Sequence, residues 1–145
     1  MTYPNILFIL ADDLGCWSLG YTGNQDAITP HLAGMARQGM VIQNFFCASP
    51  VCSPARATLL TGRMPSVHGV LDWLDGGNMS TAGAFPVEYL REFRGYTDYL
   101  HEVGYQCALS GKWHLGDSMR PQKGFGHWYA HQYGGGSYQD APMIR

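Results

Sequence analysis

The chain has 145 residues, 46% of them hydrophobic and only 14% charged, with a formal net charge of −2. That apolar content excludes a disordered chain, and the slight acidity argues against binding to nucleic acid or to a membrane surface. The charged fraction lies below the roughly 25% usual for a soluble domain. With 19 glycines, it predicts apolar faces that further protein covers, so residues 1–145 are expected to form one incomplete domain. No apolar run approaches the ~20 residues of a membrane span, and Met1-Thr-Tyr-Pro-Asn5 lacks the basic region of a signal peptide. The expected location is therefore cytoplasmic as written, or periplasmic or secreted if a leader has been removed.

Residues 5–13, Asn-Ile-Leu-Phe-Ile-Leu-Ala-Asp-Asp, form a short apolar run closed by two carboxylates. Its length and lack of alternation predict a strand buried on both faces of a parallel sheet. Asp12 and Asp13 then fall at the C-terminal end of that strand, where open α/β sheets bind ligands. Residues 26–39 read as a crossover helix, with Thr29 as cap, Pro30 at the first position and an apolar stripe of Leu32, Met35 and Ala36. Gly39 is expected to stop it in a left-handed conformation. Residues 40–46 read as a second strand.

That strand delivers the chain to Pro50-Val-Cys-Ser-Pro-Ala-Arg56. A helix over 53–61 accepts Pro54 in its first turn, where a missing N–H is harmless. Cys52 and Arg56, four residues apart, then share one face at the positive end of the helix dipole. The four cysteines, at 16, 47, 52 and 107, have no metal-like spacing, and all but Cys52 read as buried thiols. Residues 66–94 form a loop punctuated by Gly76, Gly77, Gly83 and Pro86, with Asp72, Trp73 and Asp75 as a candidate substrate-facing group. The glycosylation triplet at Asn78 has no secretion signal behind it.

A helix over 96–103 is expected next, with Thr97 as cap and Gly104 as stop. A third strand follows over 105–110, leading to Gly111-Lys112-Trp113-His114. If extension persists, Lys112 and His114 share one face by the period of two. From Asp117 onward no strand or helix period is visible. The fold class is thus α/β, with a mostly parallel sheet flanked by helices. Its strand ends gather two carboxylates, a cysteine with an arginine, and a lysine with a histidine. Those residue types suit a hard cation beside an anion-binding pocket with a covalent nucleophile.

Cys52-Ser-Pro-Ala-Arg56 resembles the Cys-x-Pro-x-Arg signature of the type I sulfatases of the alkaline phosphatase superfamily. Leu59-Leu-Thr-Gly-Arg63, Gly104-Tyr105 and Gly111-Lys112-Trp113-His114 are similar to further elements of that family, in the same order. Gly124-Phe125 follows its pattern loosely, with His127-Trp128 replacing the more usual acidic and aromatic residues. The resemblance implies a three-layer sulfatase-like α/β fold and hydrolysis of a sulfuric ester. It further implies that a formylglycine-generating enzyme converts Cys52 to formylglycine, whose gem-diol is the nucleophile. By the same resemblance Asp12, Asp13 and the Cys52 position ligate calcium, and Arg56 and Lys112 hold the formylglycine. His114 helps return the sulfated form to aldehyde and inorganic sulfate.

The implied substrate is a sulfated small molecule or carbohydrate. The family's second acidic and amide metal pair, its further lysine and its leaving-group histidine have no counterpart here. The 145-residue polypeptide alone is therefore expected to show little or no turnover. A phosphonate or phosphate ester hydrolase of the same superfamily, or a non-catalytic calcium-binding relic, are the competing readings.

Overall fold

The computed structural model describes residues 3–76 and 85–145; the glycosylation triplet at Asn78, with Gly77 and Gly83, lies outside them. The chain divides into two compact units, Met1–Phe46 and Cys47–Arg145.

The first unit contains a 3-10 turn, Gly20–Thr22, and helix α1, Pro30–Gln38. Pro30 opens α1 as the sequence predicts, but Thr29 does not cap it. Its hydroxyl oxygen accepts the Gly20 N–H at 3.0 Å instead, tying the turn to the helix start. Gly39 ends the helix in extended backbone, at φ −115°, rather than in the predicted left-handed conformation. Its N–H already satisfies the Met35 carbonyl at 2.8 Å.

Residues 5–13 and 40–46 form no strand, a departure from expectation. Their apolar side chains are exposed, Leu7 at 86% and Phe46 at 83%. A strand exists only through a ladder to a neighbour, and no described residue of this unit is buried beneath one. Cys16 and Cys47 are likewise exposed, against the buried reading, whereas Cys107 is buried.

The second unit is built on helix α2, Cys52–Thr61, and a three-stranded sheet. Helix α2 begins on Cys52 itself and ends at Gly62, whose φ of +66° supplies the left-handed stop. The short helix α3, Pro65–His68, follows. Helix α4, Tyr96–Glu102, is capped by Gly95 rather than Thr97. The Gly95 N–H donates to the Asp98 carboxylate at 2.7 Å, leaving Thr97 to turn inward and be buried.

Strand β1, Cys107–Lys112, lies two residues later than predicted and pairs in parallel with β2, Phe125–His131. Strand β3, Met143–Ile144, adds antiparallel to the far side of β2. Neither β2 nor β3 was expected from the sequence. The β1–β2 register skips Gly126, so that Cys107 faces Phe125 and Ala108 faces His127. Such a bulge breaks the period of two that would announce a strand.

The core lies between α2 and the sheet. Ala57 and Leu60 of α2 pack with Val70, Leu90, Trp113, Leu115, Trp128 and Ala130. Leu90 and Leu115, at 1% and 2% exposed, each contribute about 1.5–3 kcal/mol of burial. Trp113 meets Phe125 and Trp128 edge-on, with centroids 6.2 and 5.2 Å away, the geometry aromatic quadrupoles favour. Trp128 also donates its indole N–H to the Ser118 carbonyl at 2.8 Å. The 113–124 crossover is pinned by Asp117, whose buried carboxylate accepts from Arg120 and from the Met119 N–H.

Candidate active site

Cys52 is the first residue of α2, so its side chain stands at the positive end of a helix of ten residues. Arg56 lies one turn further along the same face. Its guanidinium Nη1 donates to the Lys112 carbonyl at 2.8 Å, fastening α2 to the end of β1. Beyond Lys112 the strand ends, and the chain turns so sharply that His114 adopts φ +56°. That is the left-handed region, uncommon for a residue with a Cβ. The predicted shared face of Lys112 and His114 therefore does not arise from strand alternation; the turn after β1 replaces it.

The turn carries the imidazole of His114 to Cys52. Its Nδ1 lies 3.3 Å from Cys52 Sγ, although 61 residues intervene. On the opposite side of the ring, Nε2 lies 3.0 Å from the Leu74 carbonyl oxygen. A carbonyl only accepts, so Nε2 carries the proton and donates it. In the neutral ring Nδ1 is then a lone pair directed at the Cys52 sulfur, and the thiol is the donor. His114 itself is 1% exposed, which removes competition from water.

Two groups that sequence reasoning did not identify, Leu74 and Gly134, hold this geometry. Leu74 bridges it: its N–H donates to the fully buried Ser53 Oγ at 3.2 Å while its carbonyl orients His114. Backbone groups leave no trace in a sequence, so only the unusual Ser53 at a buried helix start could have hinted at it. Gly134 closes the remaining side. A Cβ there would sit 1.9 Å from His114 Nε2, inside the ring's own volume. The Gly134-Gly-Gly136 run was visible in the sequence, but its neighbour was not. Trp73 meets His114 edge-on at 5.5 Å and 71°, which brings the candidate loop group to the site through its ring.

Of the predicted site residues, Cys52 and His114 meet through their side chains in the second unit, and Arg56 joins them to the end of β1 through the Lys112 backbone carbonyl. Asp12 and Asp13 lie in the first unit, exposed, with Asp13 at φ +54°. Carboxylate oxygens are the donors calcium takes, so the chemistry of this pair fits it, but two supply only part of the about six to eight ligands it needs. Among the described residues, no three His, Cys, Asp or Glu side chains converge on a metal position.

A family model described as Sulfatase matches residues 4–144. Human steryl-sulfatase is 35% identical over 127 residues, covering 86% of this chain and 21% of that protein. Human N-acetylgalactosamine-6-sulfatase is 39% identical over 136 residues, covering 87% and 25%. The chain thus spans about a quarter of the length of the curated relatives it matches. Among solved structures, Ps i-CgsB superposes with a TM-score of 0.70 at 32% identity, over 88% of this chain and 27% of its own. BT4656, solved in complex with its substrate D-glucosamine-2-N,6-O-disulfate, gives 0.66 at 28% identity, over 87% and 22%.

Proposed function

Because this chain belongs to the sulfatase family, with its alkaline phosphatase-like α/β fold, we propose that it carries the nucleophile-bearing part of a sulfuric ester hydrolase. The observation that carries this reading is the Cys52–His114 contact, with the far ring nitrogen anchored on Leu74. Oxidised to formylglycine by a maturation enzyme, position 52 supplies a hydrated aldehyde. One of its hydroxyls displaces the alcohol from sulfur, and deprotonation of the other frees inorganic sulfate and restores the aldehyde. His114 presents its Nδ1 lone pair within reach of position 52, where it takes that proton; such general-base help is worth about 10²–10⁴-fold.

Arg56 and Lys112 supply positive charge where oxyanion charge gathers. The Arg56 tether to the Lys112 carbonyl fixes the guanidinium beforehand, so little reorganisation is needed. Asp12 and Asp13 are the calcium ligands this reading assigns to the first unit and position 52 the one it assigns to the second; calcium would polarise a sulfate oxygen as a Lewis acid.

The substrate is a sulfated small molecule or carbohydrate, a class supported by the sulfated sugar bound to BT4656. The 145-residue polypeptide alone has little or no turnover in this reading. Support comes from the short share of its relatives that it spans.

The test compares matched sulfate and phosphonate esters with the enzyme carrying this segment and with its Cys52→Ala variant. Calcium-dependent sulfate turnover that vanishes in Cys52→Ala is expected. Preference for the phosphonate ester would favour the phosphoryl rival, and no turnover of either would favour the calcium-binding relic. Calcium-dependent turnover by the isolated 145-residue chain would overturn the statement about it.

A further inference from the structure

Trp73 is a large indole left 48% exposed beside a histidine that is 1% exposed. Its ring stands 5.5 Å from the His114 ring, at 71° to it. The loop holding it is anchored on both sides of Leu74, to Ser53 of α2 and to His114. The Trp73 N–H itself donates to Asp72 Oδ1 at 2.7 Å, which fixes the turn at its base. Asp75 follows two residues later, and both carboxylates are exposed. A half-exposed indole is thus held in place beside the imidazole that reaches Cys52, in a loop that also carries the exposed carboxylates of Asp72 and Asp75.

That combination matches one class of leaving group. A pyranose ring offers an apolar C–H face to an aromatic wall and a rim of hydroxyl donors to carboxylates. A steroid or simple aryl group offers the face without the rim. The two carboxylates also repel a second anion on the same ring. We infer that Trp73 determines specificity, stacking against the sugar ring of a pyranoside that carries its sulfate only at the reacting position. The inference rests on the sulfate-ester reading above and deepens it.

The experiment uses the enzyme carrying this segment and a panel of methyl pyranoside monosulfates, disulfates and aryl sulfates. It measures kcat and KM together with the inhibition constant of inorganic sulfate, which fills the reacting position without touching the wall. Trp73→Ala is expected to raise KM for the preferred monosulfate about tenfold, the scale of one aromatic contact, with the sulfate inhibition constant unchanged. Trp73→Phe should keep most of the affinity. Asp72→Asn with Asp75→Asn should raise disulfate turnover relative to monosulfate.

An unchanged KM in Trp73→Ala would overturn the inference. So would a parallel rise in KM and in the inhibition constant, which would mean that Trp73 merely props His114. Turnover of aryl sulfates with none of the sugars would overturn the sugar assignment while leaving the sulfatase reading intact. A wild-type enzyme inert toward every sulfate ester would remove the sulfatase reading and this inference with it.

Discussion

Gly134→Ala is the smallest change that should disable this site. The added methyl would fall 1.9 Å from His114 Nε2, 2.1 Å from Cδ2 and 2.3 Å from Cε1, so it overlaps the imidazole itself. The ring has little room to yield, being 1% exposed and held from both nitrogens. Forcing a buried group aside costs about 1–3 kcal/mol. Losing the Leu74 and Cys52 contacts adds about 0.5–1.5 kcal/mol each. The total is about 2–6 kcal/mol if the backbone stays in place.

The catalytic effect is separable from stability, because displacement of His114 removes proton transfer at position 52. Turnover should therefore fall by about 10²–10⁴-fold in molecules that remain folded. Gly135→Ala is the control, since a Cβ there meets nothing within 4 Å. The assay pairs urea unfolding with sulfate ester turnover for both variants of the enzyme carrying this segment. Wild-type turnover and midpoint in Gly134→Ala would refute the placement of His114.

A second steric prediction concerns Gly116, at φ +89°, where a Cβ would lie 1.7 Å from the Val87 carbonyl oxygen that also accepts the Asp117 N–H. Gly116→Ala should cost about 3 kcal/mol or more, read from the urea midpoint. His68 should make stability depend on pH. Its Nδ1 accepts the Val70 N–H and its Nε2–H donates to Thr58 Oγ1, so a second ring proton would face a donor. Burial accordingly holds its imidazole below the ordinary 6.5. The unfolded chain then binds the proton first, so stability is full above about pH 6.5 and declines as pH falls toward the lowered folded value. Unfolding midpoints at neutral and mildly acidic pH should diverge less in His68→Gln than in wild type. Calcium removal should abolish turnover, and Asp12→Asn or Asp13→Asn should raise the calcium concentration needed to restore it; indifference to chelator would contradict the metal assignment.

Much of the second unit was legible because its signals are local. Pro54, Gly62 and the apolar spacing of Ala57 and Leu60 announce α2, and Gly104 marks the end of α4. The strand around Ala108 is likewise a short apolar run before a glycine. Strand β2 was not legible, since the bulge at Gly126 separates Phe125 from the inward-facing Trp128 and Ala130 and hides their alternation. In the first unit the apolar runs predict strands, but a run does not contain its own partner, and residues 5–13 and 40–46 lie exposed without a ladder.

At the site, the chemistry-bearing types Cys52, Arg56, Lys112 and His114 could be named from their spacing and motif. Their supports could not. The Leu74 carbonyl is a backbone group, and the value of Gly134 lies in what it lacks. His114 reaches Cys52 through a left-handed turn, which periodicity does not anticipate.

Everything proposed for the reaction depends on the fate of one sulfur atom. Mass spectrometry of the peptide carrying Cys52, from the enzyme expressed in a host able to make formylglycine, tests it most directly. The aldehyde, or its hydrate, is expected in place of the thiol at position 52. An intact thiol in that host would contradict it.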